Sequence, residues 1–110
     1  MNIQVTKEQF AEIVQDARVI VIRPGRIPFP LGTVHILNTH DGSMVPVKIL
    51  RISHCRVRHT PMIDCIVYDR TASNPDELLP KLREDFLQLT EDSHITIVRF
   101  DRNGEVGDIG

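Results

Sequence analysis

Short apolar runs alternate with polar punctuation along the chain, and the spacing inside each run predicts an element. Thr6-Lys7-Glu8-Gln9 has the form of a capping box, with Thr6 as N-cap and Gln9 at N3. Phe10, Ile13, Val14 and Ala17 follow at helical spacing, so a helix is expected from about Lys7 to Asp16. Arg18-Val-Ile-Val-Ile-Arg23 is short and β-branched, and reads as a strand buried on both faces. Pro24, Pro28 and Pro30 remove amide donors, so Pro24 to Pro30 is expected to be a loop. Gly32 to Leu37 is a second strand and His40-Asp41-Gly42-Ser43 a turn.

Met44 to about Val57 reads as one long strand. Val45, Val47 and Ile49 share one phase while Leu50 and Ile52 take the other, which predicts a bulge or two-sided burial near Ile49. Met62 to Tyr68 reads as another strand or a packed connector. Asn74-Pro75-Asp76-Glu77 starts a helix, with Asn74 as N-cap and Pro75 at N1. Leu78, Leu79, Leu82, Phe86 and Leu89 form its stripe, and Pro80 predicts a kink or a short turn before the main helix. Ile95 to Phe100 is the last core strand, and Asn103-Gly104 suits a tight hairpin turn.

The order helix, strands, helix, strand lacks the regular alternation of a doubly wound sheet. An α+β fold follows, a small mixed or antiparallel barrel with two main helices at its ends. The chain has 110 residues, which allows one domain, assigned to residues 1–100, with 101–110 as a C-terminal tail or hairpin extension. With 41% hydrophobic and 25% charged residues and no repeat, collagen-like, mucin-like and broadly disordered chains are excluded. Val19 to Ile22, the longest apolar run singled out, falls far short of the roughly 20 residues that span a bilayer. No membrane partner is expected. Met1-Asn2-Ile3-Gln4 lacks a charged n-region and an apolar h-region, and Cys55 and Cys65 read as free thiols, so the expected compartment is the cytoplasm.

Net charge is -2, yet its distribution is uneven. Between Ala17 and Ile63 lie Arg18, Arg23, Arg26, Lys48, Arg51, Arg56 and Arg58 against the single acid Asp41, a balance of +6 that leaves -8 elsewhere. His35, His40, His54 and His59 fall in the same segment. One side of the molecule is therefore expected to attract anions.

A helix, a basic residue, then a strand closed by arginine (Asp16-Ala17-Arg18-Val19-Ile20-Val21-Ile22-Arg23) resembles the opening of the ASCH domains of the PUA-like barrel superfamily, whose signature is Gly-x-Lys-x-x-(Glu or Thr)-x-Arg. The resemblance continues through Gly32 at the next strand, the long strand, the Pro-started helix with Glu77-Leu78 and a closing strand ending in Arg99-Phe100. It spans roughly residues 7 to 100. The family glycine falls at Asp16, the lysine at Arg18, the Glu or Thr at Val21, and only Arg23 matches; the Gly-Asp after the loop reads Gly32-Thr33.

What the resemblance implies is a PUA-like barrel. Small ASCH amidohydrolases deacetylate acetylated cytidine with a Lys, a Thr and a Glu. Here Arg18 cannot give up its proton to act as base, and Val21 carries no nucleophile. Asp69, Thr71 and Asp76 are the only stand-ins for the Glu. The expected function is therefore a non-catalytic module that binds RNA or a nucleotide. Arg18, Arg23 and Arg26 would fork onto phosphate and Phe29 would stack on a base, with Lys48, Arg51, Arg56 and Arg58 supplying the surrounding field. The runner-up is a divergent amidohydrolase acting on an acylated nucleoside. A third reading is a protein-binding adaptor or inhibitor that uses the Pro24 to Pro30 loop or the acidic helix around Asp76, Glu77, Glu84 and Asp85.

His54-Cys55-Arg56-Val57-Arg58-His59 with Cys65 invites a zinc reading, but neighbouring His54 and Cys55 point to opposite faces of a strand and no Cys-x-x-Cys pair exists. No metal or cofactor is assigned. Cys-His catalysis through Cys55 or Cys65 has no local support.

Overall fold

The computed structural model describes residues 2–15, 18–29 and 32–101, Thr33 by its backbone only. Nine elements follow in order: β1 (Asn2–Val5), α1 (Lys7–Val14), β2 (Ile20–Pro24), β3 (Gly32–Asn38), β4 (Met44–Arg56), a 3-10 turn (Val57–His59), α2 (Met62–Tyr68), α3 (Pro75–Arg83) and β5 (His94–Asp101). The fold is α+β, with a five-stranded mixed sheet ordered β1-β3-β4-β5-β2. Closure of that sheet into a barrel is not found among the described residues. The expected ends of the first helix at Asp16 and of the loop at Pro30, and the Asn103-Gly104 hairpin, lie outside them.

The chain divides into two compact units, one of Met1–Val19, Pro30–Arg51 and Arg99–Gly110, the other of Ile20–Phe29 and Ile52–Val98. In the first unit the capping box forms as expected. Thr6 Oγ1 accepts from the Gln9 amide at 3.1 Å, and Gln9 Oε1 accepts from the Thr6 amide at 3.3 Å. Ile13 is the fully buried residue of α1. β1, which the sequence pattern does not predict, pairs in parallel with β3 from Asn2↔His35 to Val5↔Asn38. Ile3 and Val5 point inward at 2% and 3% exposure, and two apolar residues are too short a pattern to read without the partner strand.

β3 pairs antiparallel with β4 in unbroken register from Gly32↔Ile49 to Leu37↔Met44, and the ladder ends at Ile49, where the expected bulge would begin. Val34, Ile36, Val45, Val47 and Ile49 are buried on one face. The connecting turn needs Gly42, whose φ of 81° lies in the left-handed region. Asp41 Oδ1 closes it by accepting from the Ser43 amide and hydroxyl at 2.9 and 2.5 Å.

The second unit holds a core of Ile20, Ile22, Val57, Cys65, Ala72, Leu78, Leu82, Leu89, Ile95 and Ile97. β2 is buried on both faces at Ile20, Val21 and Ile22, as its sequence predicts. Met62 to Tyr68 is an α-helix, not the strand or connector expected. Pro61 caps it and its buried face is Asp64 and Cys65, while Met62, Ile63 and Ile66 stay exposed. The β-branched residues that resembled a strand therefore lie largely on the solvent side. Asn74 Oδ1 caps α3 by accepting from the Glu77 amide at 3.0 Å. Pro80 sits inside α3, which runs on to Arg83 rather than stopping for it. Leu78 and Leu82 are buried in the helix, and Phe86 and Leu89 follow in the turns after it.

Candidate anion-binding site

The site belongs to the second unit and is built around one hydroxyl. Thr96 lies in β5 between Ile95 and Ile97 and is fully buried. Its Oγ1 donates to the Gly25 carbonyl at 2.7 Å and accepts from the Ile27 amide at 2.8 Å. The Gly25 amide bonds the His94 carbonyl at 2.7 Å. These three bonds hold the segment after β2 against β5, and Gly25 makes the turn with φ of 84°. Arg26 sits between the two anchored peptide groups and is exposed, while Phe29 is half-buried.

His54 Nδ1 meets the same Thr96 hydroxyl at 3.1 Å. The Val57 amide bonds the Ser93 carbonyl at 3.0 Å, and Arg58 pairs with Asp92. Residue numbers rise on one side as they fall on the other, so β4 and β5 run antiparallel here, with 54 across from 96. The same register sets Arg56 across from His94, and side chains two apart share a strand face. His54, Arg56 and His94, all exposed, therefore share the strand face on which Thr96 anchors the loop that carries exposed Arg26. The acids Glu91 and Asp92 close one end, Asp92 at 4.0 Å from Arg56 Nη1 and Glu91 at 3.4 Å from Arg58 Nη2. No carboxylate pairs with Arg26 among the described residues.

The expected binding residues divide. Arg26 and Arg56 belong to this site, while Phe29 is half-buried three residues after Arg26. Arg58 is held by Asp92 and Glu91. Arg23 sets its guanidinium 5.9 Å from the Phe86 ring centre and donates to the Ile22 carbonyl at 2.9 Å. Arg18, in the first unit, bonds Glu12 at 3.0 Å with its side chain only 14% exposed. Lys48 and Arg51 are exposed on the first-unit stretch of β4.

The amidohydrolase positions are occupied by structural groups. Val21 is in the core at 1% exposure. Asp69 Oδ1 accepts from the Thr71 amide and hydroxyl at 2.9 and 2.5 Å, and its other oxygen lies 3.9 Å from Lys81. Asp76 stands exposed in the first turn of α3. Burial pushes both thiols, Cys55 and Cys65, above the usual cysteine value, with the Asp64 carboxylate adding to the shift, so neither is a thiolate at neutral pH. Among the described residues no group of three His, Cys, Asp or Glu side chains is placed to hold a metal ion, and no helix is long and apolar enough to cross a membrane.

The sequence pattern gives no role to His94 or Thr96, and gives His54 only a place in the basic segment and in the zinc reading. One signal was present: a lone threonine inside Ile95-Thr96-Ile97-Val98 must satisfy a buried hydroxyl, and so marks a partner from elsewhere in the chain. Comparison with protein-family models, with curated proteins and with solved structures finds no match for this chain.

Proposed function

We propose that the protein is a non-catalytic module that binds phosphate-bearing ligands, with single-stranded RNA as the ligand class, on a divergent ASCH-like, PUA-like frame. One observation carries the reading: exposed Arg26 sits on a loop fixed by Thr96, His54 meets the same hydroxyl, and exposed Arg56 and His94 follow two residues away on their strands. A loop held in place before binding loses little entropy when the ligand arrives. Arginine forks match phosphate oxygens, and Phe29, three residues after Arg26, offers a ring for a base. The amidohydrolase alternative finds no support in Val21, a core residue where that chemistry needs a nucleophile.

The test is an amide-shift NMR titration of labelled protein with a short mixed RNA and with nucleosides, at two salt concentrations. Shifts clustered at Arg26, His54, Arg56 and His94 are expected, with affinity falling as salt rises. Arg26→Ala lowers the logarithmic salt slope by about 1, the contribution of one phosphate contact. Binding indifferent to salt overturns the reading. Silence with every ligand moves the function to a protein partner, for which exposed Met62 (63%), Ile63 (57%) and Ile66 (41%) on α2 supply the surface.

A further inference from the structure

The buried hydroxyl of Thr96 decides which nitrogen of His54 carries the proton. A threonine hydroxyl has one proton and two lone pairs. The proton goes to the Gly25 carbonyl, which can only accept, at 2.7 Å. One lone pair takes the Ile27 amide, which can only donate, at 2.8 Å. His54 Nδ1, at 3.1 Å, meets the lone pair that remains and must donate to it. In the neutral imidazole the other nitrogen, Nε2, is then an acceptor. A face of cationic donors thus contains one acceptor whose role is set by the fold.

Phosphate oxygens carry no proton for such an acceptor. The donor that accompanies every phosphate of RNA, and is missing from DNA, is the ribose 2′-hydroxyl. We infer that His54 Nε2 accepts a hydrogen bond from a ribose 2′-hydroxyl, which makes the site select RNA over DNA of the same base sequence. The inference rests on the phosphate-binding reading above. Arg26 and Arg56 bind what the two nucleic acids share, and His54 reads what separates them.

The experiment measures the affinities of oligouridylate, its 2′-deoxy counterpart and its 2′-O-methyl counterpart by fluorescence anisotropy at about pH 8. The methyl ether fills the space of the hydroxyl but cannot donate. One net hydrogen bond predicts that RNA binds about 2–10-fold more tightly than either analogue. His54→Ala is expected to bring the affinity for RNA down to that for the deoxy strand, so that the ratio between the two falls to about 1. His54 is exposed, so the variant keeps its core, and far-UV circular dichroism checks this. Long-range 1H–15N correlation of the imidazole in the free protein is expected to show the proton on Nδ1. Equal affinity for the three strands, a preference that survives His54→Ala, or a proton on Nε2 each overturns the inference and leaves phosphate binding standing. Absence of binding to all three strands overturns the phosphate reading as well.

Discussion

Thr96→Val tests the hub of the second unit. Valine has nearly the shape of threonine, so the change removes the hydroxyl and little volume. The Gly25 carbonyl and the Ile27 amide lose the partners they hold at 2.7 and 2.8 Å. An orphaned buried polar group costs about 1–3 kcal/mol. Gly25 and Ile27 are half-buried rather than sealed, so water relieves part of the penalty, and the pair together is expected to cost about 2 kcal/mol. Thr96→Ser is the matched control: it keeps the hydroxyl and gives up one buried methyl, a loss of about 1 kcal/mol. The predicted order of stability is wild type, then Ser, then Val. Urea denaturation reads it, and a slope of about 1–3 kcal/mol per molar converts the valine penalty into a midpoint lowered by about 1 M. Amide hydrogen exchange supplies the local readout, with Ile27 protected in the wild type and exchanging freely in Thr96→Val. A valine variant as stable as the wild type, or an unprotected Ile27 amide in the native protein, refutes the role given to this hydroxyl.

Three further outcomes follow from the same structure. Pro80 lies exposed inside α3, where it removes one helix hydrogen bond. Pro80→Ala should raise stability by about 2 kcal/mol, the roughly 3 kcal/mol helix penalty less up to about 1 for the looser unfolded chain, seen as a higher thermal midpoint. Glu77 is held below its ordinary carboxyl value, first by the Ser73 hydroxyl at 2.7 Å and then by the Ser73 amide at 2.8 Å. A depressed folded value stabilises above the unfolded value, 4.5, and that contribution is lost as pH falls through the folded value; Ser73→Ala should therefore flatten the urea-midpoint profile below that pH. Cys65 is fully buried and its thiol is pushed up by that burial, so iodoacetamide should modify it only when the protein unfolds, as peptide mass spectrometry across a urea series would show.

Signals confined to a few neighbouring residues were legible in the sequence. The Thr6–Gln9 box and the Asn74 cap act across three residues, and both form. The β-branched run of β2 and the alternation of β4 needed no partner to be recognised, because burial on a pleated strand follows chemistry at period two. Charge asymmetry likewise pointed to the stretch that contributes Arg26, His54 and Arg56. Where local chemistry was ambiguous, the reading failed. Met62-Ile-Asp-Cys-Ile-Val-Tyr68 has β-branched residues suited to a strand, yet Pro61 and the burial of Asp64 and Cys65 settle it as a helix.

What only the tertiary structure decided is the company each residue keeps. β1 is a strand because β3, more than thirty residues on, pairs with it. Sequence spacing offers Arg18 and Arg23 as phosphate ligands, and the fold sets Glu12 against one and the Phe86 ring against the other. The site depends on Thr96 reaching Gly25 and Ile27, 71 and 69 residues back in the chain, and His54, 42 back. A sequence fixes which groups must be satisfied, since a buried hydroxyl without partners is costly. Which groups satisfy it depends on long-range contacts that exist only once the chain has closed on itself.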